Sequence, residues 1–305
     1  MVQRAKRTRR LPGLLLSVNL AALGCGSADS GPVRVDPALA ALAPADAVFL
    51  GGVRMEALRA TPLYKKWVEN KPQPFIDGFA RETGLDPRRD VTELLLASDG
   101  KQTLTMARGK FSPQRFGPSG ARRMPYKSYT LIGNEDAAVV FMDSTTAVAG
   151  AAPAIRALID RRGRAPAPLL ARVKEIPPGS QIWFVSAGTA GLADQLPGSG
   201  LLANLPRILT MLETLTLSAD LRSGATLAAG GVCRTEQDAR SLADAIRGLL
   251  GLARLGTPNS RPELLRLYES IQVTNEQRAV RLQAQIAEDL LDVLLARFDV
   301  GQSRP

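Results

Sequence analysis

The chain has 305 residues, with 39 lysines and arginines against 29 aspartates and glutamates, a net charge of +10. It contains two cysteines and no histidine. The absence of histidine excludes Ser-His-Asp and Cys-His relays, His-ligated zinc and the HExxH protease. It also removes the side chain whose charge changes most readily near neutral pH.

The first ten residues carry Arg4, Lys6, Arg7, Arg9 and Arg10 and no acid. An apolar run of 13 residues follows, Leu11–Leu23, broken only by Pro12, Gly13, Ser17 and Asn19. A basic start, a short apolar run and a small residue before a cut mark a secretory signal. The run is too short to cross a hydrocarbon layer that needs about 20 residues.

Ala22-Leu23-Gly24-Cys25 resembles the lipobox of bacterial lipoproteins. The match is good at Gly24 and Cys25 and departs at Ala22, where that family usually has leucine. The resemblance implies cleavage before Cys25 and acylation of its sulfur, with residues 1–24 as the signal. Several acyl chains hold a protein stably on a membrane, whereas one does so only marginally. Gly26 and Ser27 are not acidic retention residues, which by analogy with enteric bacteria favours the outer membrane over the inner. Gly26–Pro32 is small, polar and suited to a tether, and the tether is taken as residues 25–40. Loss of the five leader cations lowers the net charge to +5 over the 281 remaining residues. With Cys25 acylated, Cys233 has no partner for an internal disulfide, so stability must come from packing.

The remaining chain reads as two similar α+β halves, residues 41–165 and 166–305, joined through the proline-rich 163–168 segment. Each half opens on an apolar strand, Val48–Gly51 and Ile182–Val185, after a Pro-initiated turn. Helical segments follow at Met55–Asn70, Pro72–Thr83 and Thr189–Met211. Glu93–Ala97 and Gln102–Arg108 flank Asp99-Gly100, a strong hairpin signal because both positions tolerate positive φ. Leu215, Leu217, Ala219 and Leu221 alternate with polar residues, a period of two with one face buried.

The halves then close on further strands and a helix. The first has Tyr126–Gly133, a turn at Asn134–Asp136, Ala137–Met142, Thr145–Ala149 and a helix at Pro153–Arg162. The second has the helix Thr235–Leu255, with Asp238 three residues after Thr235 in a capping-box-like start. Ser270–Thr274, a turn at Asn275-Glu276 (matched to the Asn134 turn) and Ala279–Gln285 follow. A last helix runs through Ile286, Leu290, Leu294 and Phe298. Hairpins outnumber βαβ crossovers, so the sheets are expected to be largely antiparallel, with helices packed on one face.

Several short patterns carry little chemistry. Ser98–Lys101 spells the SxxK of penicillin-binding enzymes but falls on a hairpin turn and lacks a KTG partner. Gly198-Ser199-Gly200 lacks the third glycine of a dinucleotide fingerprint and a Walker lysine. Cys233 shares a strand face with Leu227, Ala229 and Gly231, which makes it a small core residue. Asp86, Asp90 and Glu93 could support acid–base work, yet Arg88 and Arg89 between them point to an ion-paired loop.

The candidate site is the stretch holding Lys101, Arg108, Lys110, Arg115, Arg122, Arg123 and Lys127, with no acid between Asp99 and Glu135. Phe111, Phe116, Tyr126 and Tyr129 are interleaved, and Ser112–Pro125 reads as a long loop, a common location for function. Such a surface suits lipid phosphates, lipopolysaccharide or an acidic protein. Nucleic acid fits the charge but not the address. The phrases Pro44–Val53 and Gly84–Val91 resemble uncharacterised exported lipoproteins of environmental bacteria such as myxobacteria, a likeness that brings a class and no activity. The reading is a lipid-anchored, non-catalytic binding or scaffold protein of the cell envelope, with no cofactor or metal. The rival is an envelope hydrolase working with carboxylates alone. A carrier would need a large apolar groove.

Overall fold

The structure, a computed structural model, describes residues 32–117, 120–163, 165–189 and 210–302. Twelve strands form one sheet in which all eleven neighbouring pairs are antiparallel. In chain order they are β1 Phe49–Val53, β2 Val91–Ser98, β3 Thr103–Gly109, β4 Arg123–Tyr126, β5 Tyr129–Gly133, β6 Ala138–Phe141, β7 Thr146–Gly150, β8 Ile182–Ala187, β9 Leu212–Asp220, β10 Ala225–Cys233, β11 Ile271–Glu276 and β12 Ala279–Ile286.

The order across the sheet is β11-β12-β10-β9-β8-β1-β2-β3-β7-β6-β5-β4. The two halves therefore share one sheet, joined where β1 pairs with β8. Read outward from that seam, both halves follow the same course: three meandering strands, then a hairpin whose second strand joins the third. In that order β11–β12 stands where β6–β7 stands. The β11–β12 turn thus corresponds to the turn after Phe141, not to the one at Asn134. The strand β11 also runs on to Glu276, so the turn is Gln277-Arg278, with Gln277 at φ 49°.

Other elements depart locally from the sequence reading. Tyr126–Gly133 is not one strand, because Lys127 takes φ 51° and turns the chain between β4 and β5. Met55–Asn70 divides into α2 Met55–Arg59, α3 Pro62–Tyr64 and a π turn at Lys65–Glu69. Pro62 favours a fresh helix start, and Thr61 caps it by accepting from Tyr64 N at 3.2 Å. The remaining helices are α1 Pro37–Ala40, α4 Pro74–Thr83, α5 Pro87–Asp90, α6 Ala152–Asp160, α7 Glu236–Gly256, α8 Pro262–Ser270 and α9 Glu288–Gln302, with a 3₁₀ helix at Pro168–Glu175. Thr235 caps α7 as its sequence predicts, accepting from Asp238 N. Ile286 closes β12 instead of opening α9. No helix of the described residues is long and apolar enough to cross a membrane.

The core follows from strand register. Side chains paired across neighbouring strands share a face. Leu95, Met106, Val148, Val140 and Leu131 thus form one row over five strands, and all are fully buried. Ile155 and Leu158 of α6 pack in the same cluster, α6 lying against β6 and β7, and Leu169 and Val173 of the 3₁₀ helix extend the cluster over β1 and β8. Val33 and Leu39 are buried in the same cluster, so the packed fold takes in the chain from its first described residues. On the opposite face, Val53, Leu94 and Ala107 meet Met55, Leu58 and Tyr64 of α2 and α3. In the second half that same face carries Leu215, Val280 and Leu282 under Leu242 and Ile246 of α7.

Candidate functional site

The fold scatters the seven basic residues. Lys101 lies in the β2–β3 turn, where Asp99 accepts from Lys101 N and Gln102 N at 2.8 Å. Arg108 points from β3 to the interior side, bonded to Asp36 at 3.2 Å, Thr145 at 2.7 Å and Thr146 at 2.5 Å. Lys127 pairs with Asp160 at 2.5 Å. Arg123 opens β4 at the sheet edge, and Arg122 precedes it. The aromatic residues turn inward or are engaged. Phe111 and Phe116 are buried against Phe141 with ring centroids 5.7 and 5.1 Å away. The Tyr126 hydroxyl bonds Asp160, and the Tyr129 hydroxyl meets Arg162.

Lys110 and Arg115 converge with cations from another part of the chain. Helix α4 ends at Gly84, φ 74°, in the left-handed conformation that favours glycine. A Cβ there would come within 3.1 Å of the Arg115 carbonyl, so the glycine lets the 110–117 loop lie against the helix end. Gly117 N donates to Thr83 O at 3.2 Å and Lys110 N to Asp90 O at 2.8 Å. A concavity of about 220 Å³ results, walled by Arg89, Asp90, Lys110, Phe111 and Arg115. Arg89 is shared with a second concavity of about 600 Å³, formed by Arg59, Tyr64, Lys65, Glu69, Asp86 and Arg88.

Two acids of this groove, Asp86 and Asp90, are committed, while Glu69 lines the larger concavity without an ion pair among the described residues. Asp86 caps α5, accepts from Arg88 Nε at 2.9 Å and lies 3.4 Å from Arg89 Nε. The Arg88 bond holds its carboxyl below the usual range. Asp90 accepts from Asp86 N at 2.7 Å. Among the described residues, the side chains of Lys65, Lys110 and Arg115 form no ion pair. The ion-paired loop expected from the sequence at Arg88 and Arg89 is present, with both paired to Asp86. Arg59, Tyr64 and Lys65 carry no such sign, because nothing local announces that α4 brings residue 84 against residue 115.

A larger cavity, about 810 Å³, opens at the seam between the halves. Asp36, Arg54, Glu93, Arg108, Gln181 and Arg222 are among its walls. Asp36 N donates to Glu93 Oε1 at 3.0 Å, and Arg54 N to Gln181 O at 2.8 Å. Burial pushes the Glu93 carboxyl up, and the nearby Asp36 charge adds to it. From the other half, Arg222 lies over Gly179, where a Cβ would come within 2.2 Å of its guanidinium. Asp220 holds Arg222 at 2.5 Å.

The remaining sequence candidates are structural or lie elsewhere. Ser98 is buried at the end of β2, so the SxxK pattern is a turn. Cys233 is fully buried, and burial raises its thiol above the ordinary range. The Gly198–Gly200 segment, most of the helix predicted at Thr189–Met211, and Cys25 with the leader lie outside the described residues. The described residues hold no cluster of three potential metal ligands.

No protein-family model and no curated protein matches the chain. Among solved structures it is similar to crystal form I of TP0453, at 12% identity and a TM-score of 0.47, covering 88% of this chain and 99% of that one. Crystal form III gives 12% identity and 0.49, covering 86% and 98%; form IV gives 12% and 0.47, covering 86% and 97%.

Proposed function

We propose that the chain is a cell-envelope lipoprotein, tethered through Cys25, whose folded part binds an anionic partner without catalysis. The observation that carries the binding reading is the groove around Arg89, where Lys65, Lys110 and Arg115 surround two adjoining concavities with no acid paired to them among the described residues. Unpaired cations with low-dielectric walls attract counter-charge more strongly than the same cations in ion pairs. The lipid tether rests on the Leu23-Gly24-Cys25 pattern and its basic leader. The outer membrane is the favoured address, on the residues after Cys25. An acidic protein or an anionic envelope component is the partner class.

Two measurements test this. Cys25→Ser should move the protein from the membrane fraction to the soluble fraction; unchanged membrane retention and no acyl label on wild type would refute the anchor. Lys110→Ala with Arg115→Ala should weaken retention on an anionic matrix and flatten its salt dependence, since each lost contact lowers the slope. Identical salt elution of wild type and variant would refute the groove.

A second reading, an envelope hydrolase, is favoured by Glu93 and Asp36 in the seam cavity. A half-buried carboxyl whose proton is held more tightly than usual is suited to general acid work, beside a carboxylate held by Arg108. Turnover of envelope polysaccharides or esters that Glu93→Gln abolishes would establish it.

A further inference from the structure

The 600 Å³ concavity holds one polar group that the fold itself does not use. Tyr64 is 6% exposed, and its hydroxyl has no hydrogen-bond partner among the described residues. Buried polar groups are nearly always satisfied, so an orphan at a concavity wall calls for a reason. The position of Tyr64 is fixed from both sides. Thr61 Oγ1 accepts from its backbone N–H, and the π turn begins at the next residue, with Asn70 N donating to Lys65 O at 3.2 Å. One-turn π segments recur at functional sites, where the extra residue re-aims side chains.

The charge around the phenol is net positive: Arg59, Lys65, Arg88 and Arg89 stand against Asp86 and Glu69. Arg59 Nη1 donates to the carbonyls of Arg88 and Val91 at 2.9 and 2.8 Å. That locks the guanidinium in place and leaves Nε and Nη2 as donors. Arg88 is neutralised by Asp86 and by Asp77 at 2.8 Å. Arg89 is largely exposed at the rim, and Lys65 has no ion pair. Burial raises the Tyr64 phenol, which keeps it a proton donor throughout the neutral range.

We propose that this concavity binds a phosphate group, with Arg59 and Lys65 supplying charge, Arg89 closing the rim and the Tyr64 hydroxyl donating a hydrogen bond. The inference rests on the anion-binding reading above and narrows it to one chemical class. A dianionic oxyanion takes several charge-assisted bonds at once, which matches a fixed guanidinium, an ammonium and a phenol. The phosphate belongs either to a soluble ester or to a lipid headgroup.

The test uses the full-length chain in detergent. Inorganic phosphate is titrated by calorimetry, and phosphatidylcholine vesicles with and without phosphatidic acid are assayed by flotation. Tyr64→Phe removes only the unpartnered hydroxyl and should weaken phosphate binding about tenfold, the size of a hydrogen bond to a charged group. Lys65→Ala, at an exposed position, should weaken it similarly and flatten the salt dependence. Phosphate that displaces the protein from vesicles identifies a headgroup, and phosphate binding without vesicle binding identifies a soluble ester; both uphold the site. Tyr64→Phe and Lys65→Ala binding as tightly as wild type would overturn it. If Arg115→Ala then still lowers retention on the anionic matrix, the broader reading survives. If the wild-type chain binds neither phosphate nor matrix, both fall.

Discussion

The Trp183 indole occupies the space that a side chain of Gly52 would fill. The two residues face one another across the β1–β8 seam, and a Cβ on Gly52 would lie 2.1–2.3 Å from the ring. Gly52 is the one gap in the buried row that continues through Leu95 and Met106, and Trp183, 3% exposed, closes it. The indole thus belongs to both halves of the sheet. Gly52→Ala should push it out of the row and lower stability by about 1–3 kcal/mol, the cost of an overpacked core. Red-shifted tryptophan emission and an earlier urea midpoint would report the displacement; an unchanged midpoint would contradict it.

Arg247 guards an open edge. Its Nη2 donates from α7 to the carbonyl of Val273 at 3.1 Å and to Asn275 Oδ1 at 3.2 Å, while Asp244 holds Nη1 at 2.8 Å. Strand β11 is the last of the sheet and is rich in β-branched residues, the kind of edge that recruits another strand. The far edge, β4, is short and carries Pro125, which cannot donate. Arg247→Ala should therefore promote self-association at micromolar concentration, seen as a heavier species in sedimentation velocity. A variant that stays as monodisperse as wild type would show the edge is protected by other means.

Glu93 links the seam cavity to pH. Burial raises its folded pKa above 4.5, so the folded state binds the proton more tightly than the unfolded chain. Its contribution favours folding below pH 4.5 and is lost as pH rises through the folded value. Glu93→Gln keeps an acceptor for Asp36 N and removes the charge. The variant should melt higher than wild type at pH 7, and the difference should close by pH 4. A constant difference across that range would mean that the charge is compensated by Arg54 and Arg108.

Asp86 acts in the other direction. Its carboxyl is held low by Arg88, so its contribution is present above pH 3.8 and lost as pH falls through the folded value. Asp86→Ala removes the cap of α5, leaves Arg88 with Asp77 alone and strips Arg89 of its acid, with an expected loss of about 3 kcal/mol in chemical denaturation. A loss under about 1 kcal/mol, the range of exposed pairs, would show that Asp77 alone holds the loop.

The parts of the fold written in local chemistry were legible in the sequence. Asp99-Gly100 marks a hairpin, Thr235 caps α7, and the alternation in β9 puts Leu215 under α7, although Leu217 on the same face is 40% exposed because no helix covers it. Less visible was anything set by distant contacts. The single sheet depends on β1 meeting β8, and two open strands look the same in sequence whether they pair or not. The groove depends on a helix end at Gly84 receiving a loop from residue 115. The basic stretch does not form one continuous patch, because Lys127 sits in a turn with an acid within reach and Arg108 alternates to the covered face. Charge density along a chain carries no information about which face a strand presents.

The seam also governs when the molecule can close. Phe49 pairs with Ser186, so the contact that unites the sheet spans 137 positions. Loop closure over such a distance is entropically costly, and contacts of that kind slow folding. A chain emerging from its amino terminus carries β1 with one open side until β8 follows. Trp183 must arrive before the core row is complete. Assembly is consequently a late event, and any helper that shields β1 in the interval would act on a half-finished sheet.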